Sequence, residues 1–466
     1  MAGIGFRLQK LMAGESYTDL IKAYAYSSVI TTGPMLVVMA SLIAIHTALA
    51  RTLNPQDGEL FMGLVMYAFA FSMIGVSPIL YILTRYLADR HFARRSDVFF
   101  LAYISALLPA LALQAALCLW FISGIGLSAT GEWACLSLYL FISGIWLAMV
   151  PLSAAKDYFW ITAAFVIGAV TGIVLALWAG QAFGFDGYLI GLAIGQAATF
   201  GILTVRTLAE FGCYGGIDLG LYTYFRKYPR LIFISFFYYT GIWIDKIVFW
   251  LADTGEWVAP RLYECPNYDM PMFLAYLTIV PSAAFFMMQM ETCFAARYQD
   301  YYGCIRGHAT LGVIREKQEA MTTELTAQFQ KFVLFQGFIS GFVIIFLYPL
   351  AQLVGLDPAQ SGILRIGILG AFLLMAFITA QTALFYFDLQ TEALIASAVF
   401  CLSQAGGALI SIRIGLPAYG FGYAAANLLS LFTAFLLLDA KLKRLDYWTF
   451  MKQPVLTPRF KLESED

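Results

Sequence analysis

The residues best suited to ionic or acid-base chemistry are Asp245 and Lys246, adjacent in GIWIDKIVFW (residues 241–250) within the apolar run LIFISFFYYTGIWIDKIVFWLA. Each costs roughly 2.5–3.5 kcal/mol near the centre of a membrane helix, and each Leu, Ile, Phe or Val returns about 0.3–0.6, so the segment still inserts. Insertion does not explain why the charges are there. Neighbouring positions point about 100° apart on a helix, so each side chain is expected to find its partner on another helix or in water. Two readings stand: a pair that, with Trp243, faces a cavity and touches polymer, water or a coupling ion, or a pair in which Lys246 snorkels outward and Asp245 fixes helix packing. Arg365 and Arg413 fall at the same depth in the outer leaflet and are the expected partners of Asp245.

Other polar groups are sparser. Glu291, in MMQMETCFAARYQDYY, is the second carboxylate close to hydrocarbon, either at an inner vestibule or solvated at the interface. Gly33-Pro34 follows Thr31 and Thr32 and should interrupt the first apolar run, as a gate or a tolerated kink, freeing carbonyls that hydroxyls can satisfy. The loop DTGEWVAPRLYECPNYDMP carries Asp253, Glu256, Trp257 and Asp269. Carboxylates that accept hydroxyl hydrogen bonds and rings that cover pyranose faces suit an exit for sugar polymer, although Trp and Tyr also gather at interfaces for their own reasons. His46, His91 and His308 lie far apart, and no nucleophile triad or phosphate-cradling loop is present. No catalytic, cofactor or metal site is expected.

The elements that hold these groups follow from composition. With 61% hydrophobic and 12% charged residues and a mean hydropathy of +0.76, the chain reads as an all-α polytopic membrane protein. Runs long enough to cross about 30 Å of hydrocarbon occur at 26–50, 60–83, 98–123, 133–151, 157–182, 187–205, 230–252, 271–292, 332–354, 361–385, 393–414 and 420–439. Of the 28 Lys and Arg, the intervening loops on one side hold only Arg51 and Arg261, and the spans hold Lys246, Arg365 and Arg413. The remainder gather on the other side, which predicts both termini in the cytoplasm.

The interval 206–229 divides twelve spans into two sets of six, giving a cytoplasmic segment 1–25, a first bundle 26–205, a linker 206–229, a second bundle 230–440 and a cytoplasmic tail 441–466. Within the second bundle, the cytoplasmic insert 297–331 spaces Leu311, Ile314, Met321 and Leu325 as one apolar stripe, with Arg315 beside it. Such a face would lie on the membrane or dock a partner. No nucleic-acid role fits a bilayer-embedded chain.

The opening MAGIGFRLQKL, the block SYTDLIKAYAYSSVITTGP and GIWIDKIVFW in the seventh span resemble the PelG family over essentially the whole chain. These are polytopic inner-membrane subunits of bacterial Pel exopolysaccharide export, in biofilm formation, and look like a branch of the multidrug, oligosaccharidyl-lipid and polysaccharide exporter superfamily. The resemblance implies two six-helix bundles facing each other across a central cavity. It also implies passage of a nascent N-acetylgalactosamine-rich glycan across the inner membrane, beside a cytoplasmic glycosyltransferase and companion Pel membrane subunits. The alternative within the superfamily is a cation-coupled exporter of small molecules or lipid-linked oligosaccharide, with Asp245 binding the ion. A membrane-embedded glycosyltransferase is disfavoured because no outer loop is long enough for its catalytic site.

Overall fold

The computed structural model describes residues 24, 27–214 and 218–451, and of Glu291 and Met451 only the backbone. The first half contains α1 (Gly33–Thr52), α2 (Pro55–Phe92), α3 (Phe99–Ile122), α4 (Ala129–Ala155) and α5 (Tyr158–Phe211). The short α6 (Gly220–Lys227) lies in the linker. The second half contains α7 (Pro229–Leu251), the hairpin β1 (Glu256–Ala259) and β2 (Leu262–Glu264), then α8 (Pro266–Leu277), α9 (Val280–Gln289) and α10 (Ala295–Arg306). It continues with α11 (Leu311–Ile345), α12 (Leu347–Val354), α13 (Pro358–Tyr386), α14 (Gln390–Ile414), α15 (Phe421–Leu442) and α16 (Leu445–Met451).

Eleven helical stretches among the described residues are long and apolar enough to cross a membrane. One of them, α5, has 54 residues and leaves helical geometry at Gly184, with φ 61° and ψ −136°. At about 1.5 Å per residue it is far longer than the hydrocarbon is thick. It is two crossings joined at a glycine, the predicted spans 157–182 and 187–205. Its arms pack through glycine: Gly172 lies against Gly195, and a Cβ added at Gly187 or Gly191 would enter the backbone of Ala179 or Ala176. Small residues at four-residue intervals allow this backbone approach where no hydrophobic force draws helices together. Twelve crossings result.

The first span breaks where expected. Thr32 leaves helical geometry ahead of Gly33 and Pro34, and its hydroxyl donates to the Ser28 carbonyl at 2.9 Å. The eighth span is more broken than the sequence suggested. Thr278 ends α8 before Pro281, and a π-helical turn at Met290–Phe294 separates α9 from α10. Glu291 sits in that turn, and its side chain lies outside the described residues.

The insert corrects one expectation. Its stripe is the first half of α11, a single helix that runs on into the ninth span. Ile314, Met321 and Leu325 are buried in the protein's own core, Arg315 lies 3.6 Å from Asp446, and only Leu311 of the four apolar residues is exposed. Ile314, Met321 and Leu325 therefore offer no docking face, while Leu311 and Arg315 remain exposed. Helical spacing shows that a face must be covered, and here the chain covers it itself.

Within each half the helices pack on one another: α4 on α5 and α2 in the first, α14 on α7 and α15 in the second. Between the halves, α2 packs against α7. The two run antiparallel, because Tyr67 meets Trp250 at one end and Tyr81 meets Tyr239 at the other.

Candidate functional site

Helix α7 starts on Pro229 at its first position, where the missing N–H costs nothing. Its face toward α14 is fixed by Gly241, at which a Cβ would strike the Phe400 ring. Close packing here carries Asp245 into the interior at 1% exposure and Lys246 at 8%. Lys246 Nζ lies 3.2 Å from each carboxylate oxygen of Asp245.

This corrects the expected arrangement. Adjacent helical positions do diverge, but the four-carbon lysine stem is long enough to curl back onto the short aspartate. Arg365 and Arg413 are both exposed and make no ion pair among the described residues. Equal depth does not place residues on facing sides of their helices.

Tyrosines complete the shell. Tyr268 of α8 donates its hydroxyl to Asp245 Oδ2 at 2.9 Å, and its ring stacks on Phe249 with centroids 3.9 Å apart. Lys246 Nζ donates to the Tyr276 hydroxyl at 3.3 Å and lies over two rings, Tyr276 at 4.6 Å and Trp243 at 5.9 Å. Tyr423 of α15 packs edge-on against Tyr276. The charge pair is thus surrounded by phenol and indole, with its charges neutralised locally. Trp243 keeps a buried indole N–H without a hydrogen-bond partner, as does the Thr240 hydroxyl.

The seam between the halves closes at both ends. At the hairpin end, Tyr67 stacks on Trp250 at 4.7 Å and on Phe121 at 5.5 Å. Its hydroxyl donates to the Tyr263 carbonyl at 2.9 Å and accepts from the Tyr263 N–H at 3.2 Å. Leu262 is fully buried against Gly63. Arg261 donates to the Trp120 carbonyl at 2.5 Å, over the Trp120 ring, and a side chain at Gly124 would collide with its guanidinium. At the linker end, Tyr81 meets Tyr239 at 6.0 Å and Phe385 at 5.4 Å, and Arg85 lies 3.2 Å from Asp388.

The loop proposed as an exit divides. Asp253, Glu256 and Trp257 are exposed, whereas Asp269 accepts from Trp250 Nε1 at 2.8 Å and from the Cys265 N–H at 3.0 Å, a structural acceptor rather than a mouth residue. Glu256 and Glu264 stand opposite each other in the hairpin. Burial, followed by the charges of Glu59, Asp269 and Glu256, raises the Glu264 carboxyl to about 7. Tyr268, a ring of the loop read as an exit, turns inward onto Asp245, and sequence reasoning missed Tyr67, Tyr81 and Tyr276. Among 27 tyrosines and 40 phenylalanines nothing distinguishes them until the helices are placed. The described residues contain no cluster of His, Cys, Asp or Glu able to hold a metal.

A family model described as "PelG: Putative exopolysaccharide Exporter (EPS-E)" matches residues 1–450. No curated protein matches in sequence. Among solved structures, an outward-facing multidrug resistance MATE family transporter of the MOP superfamily superposes with TM-score 0.64 at 16% identity, covering 96% of this chain and 100% of that one. A MATE structure in a bent conformation gives 0.64 at 15% identity, covering 96% and 99%. A MOP superfamily transporter from Pyrococcus furiosus, described as having a binding pocket of reversed polarity, gives 0.61 at 16% identity, covering 96% and 99%. At these identities the likeness is one of fold: twelve crossings in two bundles.

Proposed function

Because the chain belongs to the PelG family of exopolysaccharide exporters, we propose that it carries a nascent polysaccharide across the bacterial inner membrane along the seam between its two six-helix halves. Both termini lie in the cytoplasm, so the linker end of the seam faces the cytoplasm and the hairpin end faces outward. The family match over residues 1–450 carries this reading, and the transporter fold agrees with it. The chain moves its substrate and performs no chemistry on it. A polymer rich in N-acetylgalactosamine, a cytoplasmic glycosyltransferase supplying it and companion Pel membrane subunits complete the proposal.

The geometry speaks against cation coupling at Asp245. A bound ion would need the carboxylate oxygens, and the Lys246 ammonium already sits 3.2 Å from both. The charge pair serves instead as a neutral, rigid support behind the seam.

The test is polymer secretion in cells lacking this chain, with cytoplasmic polymer measured alongside. Polymer made but retained inside, and released on complementation, is the expected result. Loss of synthesis without retention would move the chain from export to assembly of the synthase.

A further inference from the structure

The seam carries an unusual set of groups at mid-membrane. Tyr239 and Trp250 both meet α2, through Tyr81 and Tyr67 respectively. Trp243 falls between them at helical spacing, so positions 239, 243 and 250 form one stripe of α7 toward the other half, from which the Lys246 stem curls back onto Asp245 and Tyr276. The rings continue off this stripe: Tyr239 to Tyr81 to Phe385 in one direction, and Trp243 through Lys246 to Tyr276 and Tyr423 in the other.

Two features of this ladder point to a ligand. Rings alone would be ordinary packing, but the Trp243 indole N–H is buried without a partner. A buried polar group without a partner is costly, and in a transporter a substrate that completes its hydrogen bonds removes that cost. Tyr81, Tyr239 and Trp243 are also only half-buried, and they belong to both halves, so relative motion of the halves opens the space between them.

We propose that Tyr239, facing Tyr81, and Trp243, one turn along the same stripe, form a stacking track for uncharged pyranose units, with the Trp243 N–H reading sugar hydroxyls. A pyranose presents an apolar C–H face and a hydroxyl rim, which such rings and donors complement. A pyrophosphate-linked carrier is the wrong chemistry for this stripe. It would require an uncommitted cation, and the cation beside the stripe, Lys246, is neutralised by Asp245 at 3.2 Å. The charge pair thereby selects a neutral polymer over an anionic lipid-linked intermediate. This assignment rests on the export reading and adds the substrate contacts to it.

The test compares Trp243→Phe, which keeps a ring, with Trp243→Leu, which keeps apolar bulk, in the full chain in cells, at matched membrane abundance. Loss of the stacking contact predicts that Leu lowers the secretion rate by up to about tenfold, with polymer retained inside, while Phe lowers it about threefold or less. If Trp243→Leu is lost from the membrane, the same comparison is made at Tyr239. A second arm introduces cysteines at Tyr81 and Tyr239 in a chain lacking its native cysteines and cross-links them reversibly. Cross-linking that halts secretion, with reductant restoring it, upholds export through the seam. Equal secretion by Leu and Phe variants in that setting overturns the stacking track alone. Secretion unaffected by the cross-link overturns export through the seam.

Discussion

Removing the Lys246 ammonium alone should damage the protein far more than removing both members of its pair. In Lys246→Met the Asp245 carboxylate stays at 1% exposure with one hydrogen bond, from Tyr268. Breaking a buried pair in this way costs about 3–5 kcal/mol, a factor of roughly a hundred to several thousand in the folding equilibrium. Asp245→Asn should cost less, about 2 kcal/mol. Its ammonium keeps the Tyr276 hydroxyl and two ring faces, each face worth about 0.5–2 kcal/mol. The double variant Asp245→Asn/Lys246→Met has no buried charge and should lie within about 1–2 kcal/mol of the parent. Reversible unfolding of the purified chain in detergent measures all four corners of the cycle, and the double variant should be at least about 2–3 kcal/mol more stable than additivity predicts. Additivity within about 0.5 kcal/mol would show that the two groups do not act as a unit, and the argument against ion binding at Asp245 would fall with it.

Three further outcomes follow from local geometry. Arg365→Gln and Arg413→Gln, exposed and without ion pairs among the described residues, should change stability by no more than about 0.5 kcal/mol in the same assay. Gly191→Ala drives a Cβ into the Ala176 backbone while Gly201→Ala meets open space, so the first should cost about 3 kcal/mol and reduce membrane abundance severalfold, and the second should leave both unchanged. Glu264, raised from 4.5 to about 7, binds more protons in the docked hairpin than in an unfolded chain between those values. Docking is therefore strongest below pH 4.5 and weakens as pH rises through 7, by about 1–2 kcal/mol once partial exposure is discounted. Amide exchange at Tyr263 across this range reports it, and Glu264→Gln should flatten the profile.

Most of the architecture was legible because bilayer thickness imposes a length on every crossing. The twelve apolar runs map onto the helices even where α5 joins two of them without a loop, since Gly184 alone makes the turn. What failed was direction. The stripe Ile314, Met321, Leu325 was correctly seen as a face to be buried, but a single sequence does not say against what, and the protein's own core covers it. Depth likewise gave Arg365 and Arg413 as partners for Asp245, because counting residues fixes height in the membrane and leaves rotation about the helix axis open. The pairing of adjacent Asp245 and Lys246 was missed by reasoning from Cβ directions, which govern short side chains better than a lysine stem. Tyr67 and Tyr81 carry no local signal, and their roles exist only once α2 lies against α7.

The two closures of the seam differ in strength, and the difference predicts which end opens first. At the hairpin end Tyr67 holds both backbone groups of Tyr263 and Arg261 holds the Trp120 carbonyl. The Tyr67 hydrogen bonds contribute about 0.5–1.5 kcal/mol each, its stack on Trp250 a similar amount, and the bond of the exposed Arg261 no more than about 1 kcal/mol. Between α2 and the second half at the linker end, the Arg85–Asp388 pair has side-chain exposures of 32% and 57% and so contributes at most about 1 kcal/mol, leaving mainly the edge contacts of Tyr81, at about 0.5–1.5 kcal/mol each; apart from α2, the Tyr24 and Ser27 hydroxyls join the halves at the Pro281 and Ala284 carbonyls. The α2 contacts at the linker end should open at lower cost than those at the hairpin end. A cysteine at position 81, in a chain without native cysteines, should then react with a water-soluble maleimide faster than one at position 67, and Arg261→Ala should narrow the gap by accelerating position 67 alone. Equal rates in the parent, or no response to Arg261→Ala, would refute the ranking. If the ranking holds, the resting chain admits substrate from the linker side while the hairpin still seals the other. A polymer that fills the seam must then hold the hairpin end open by its own contacts with the rings.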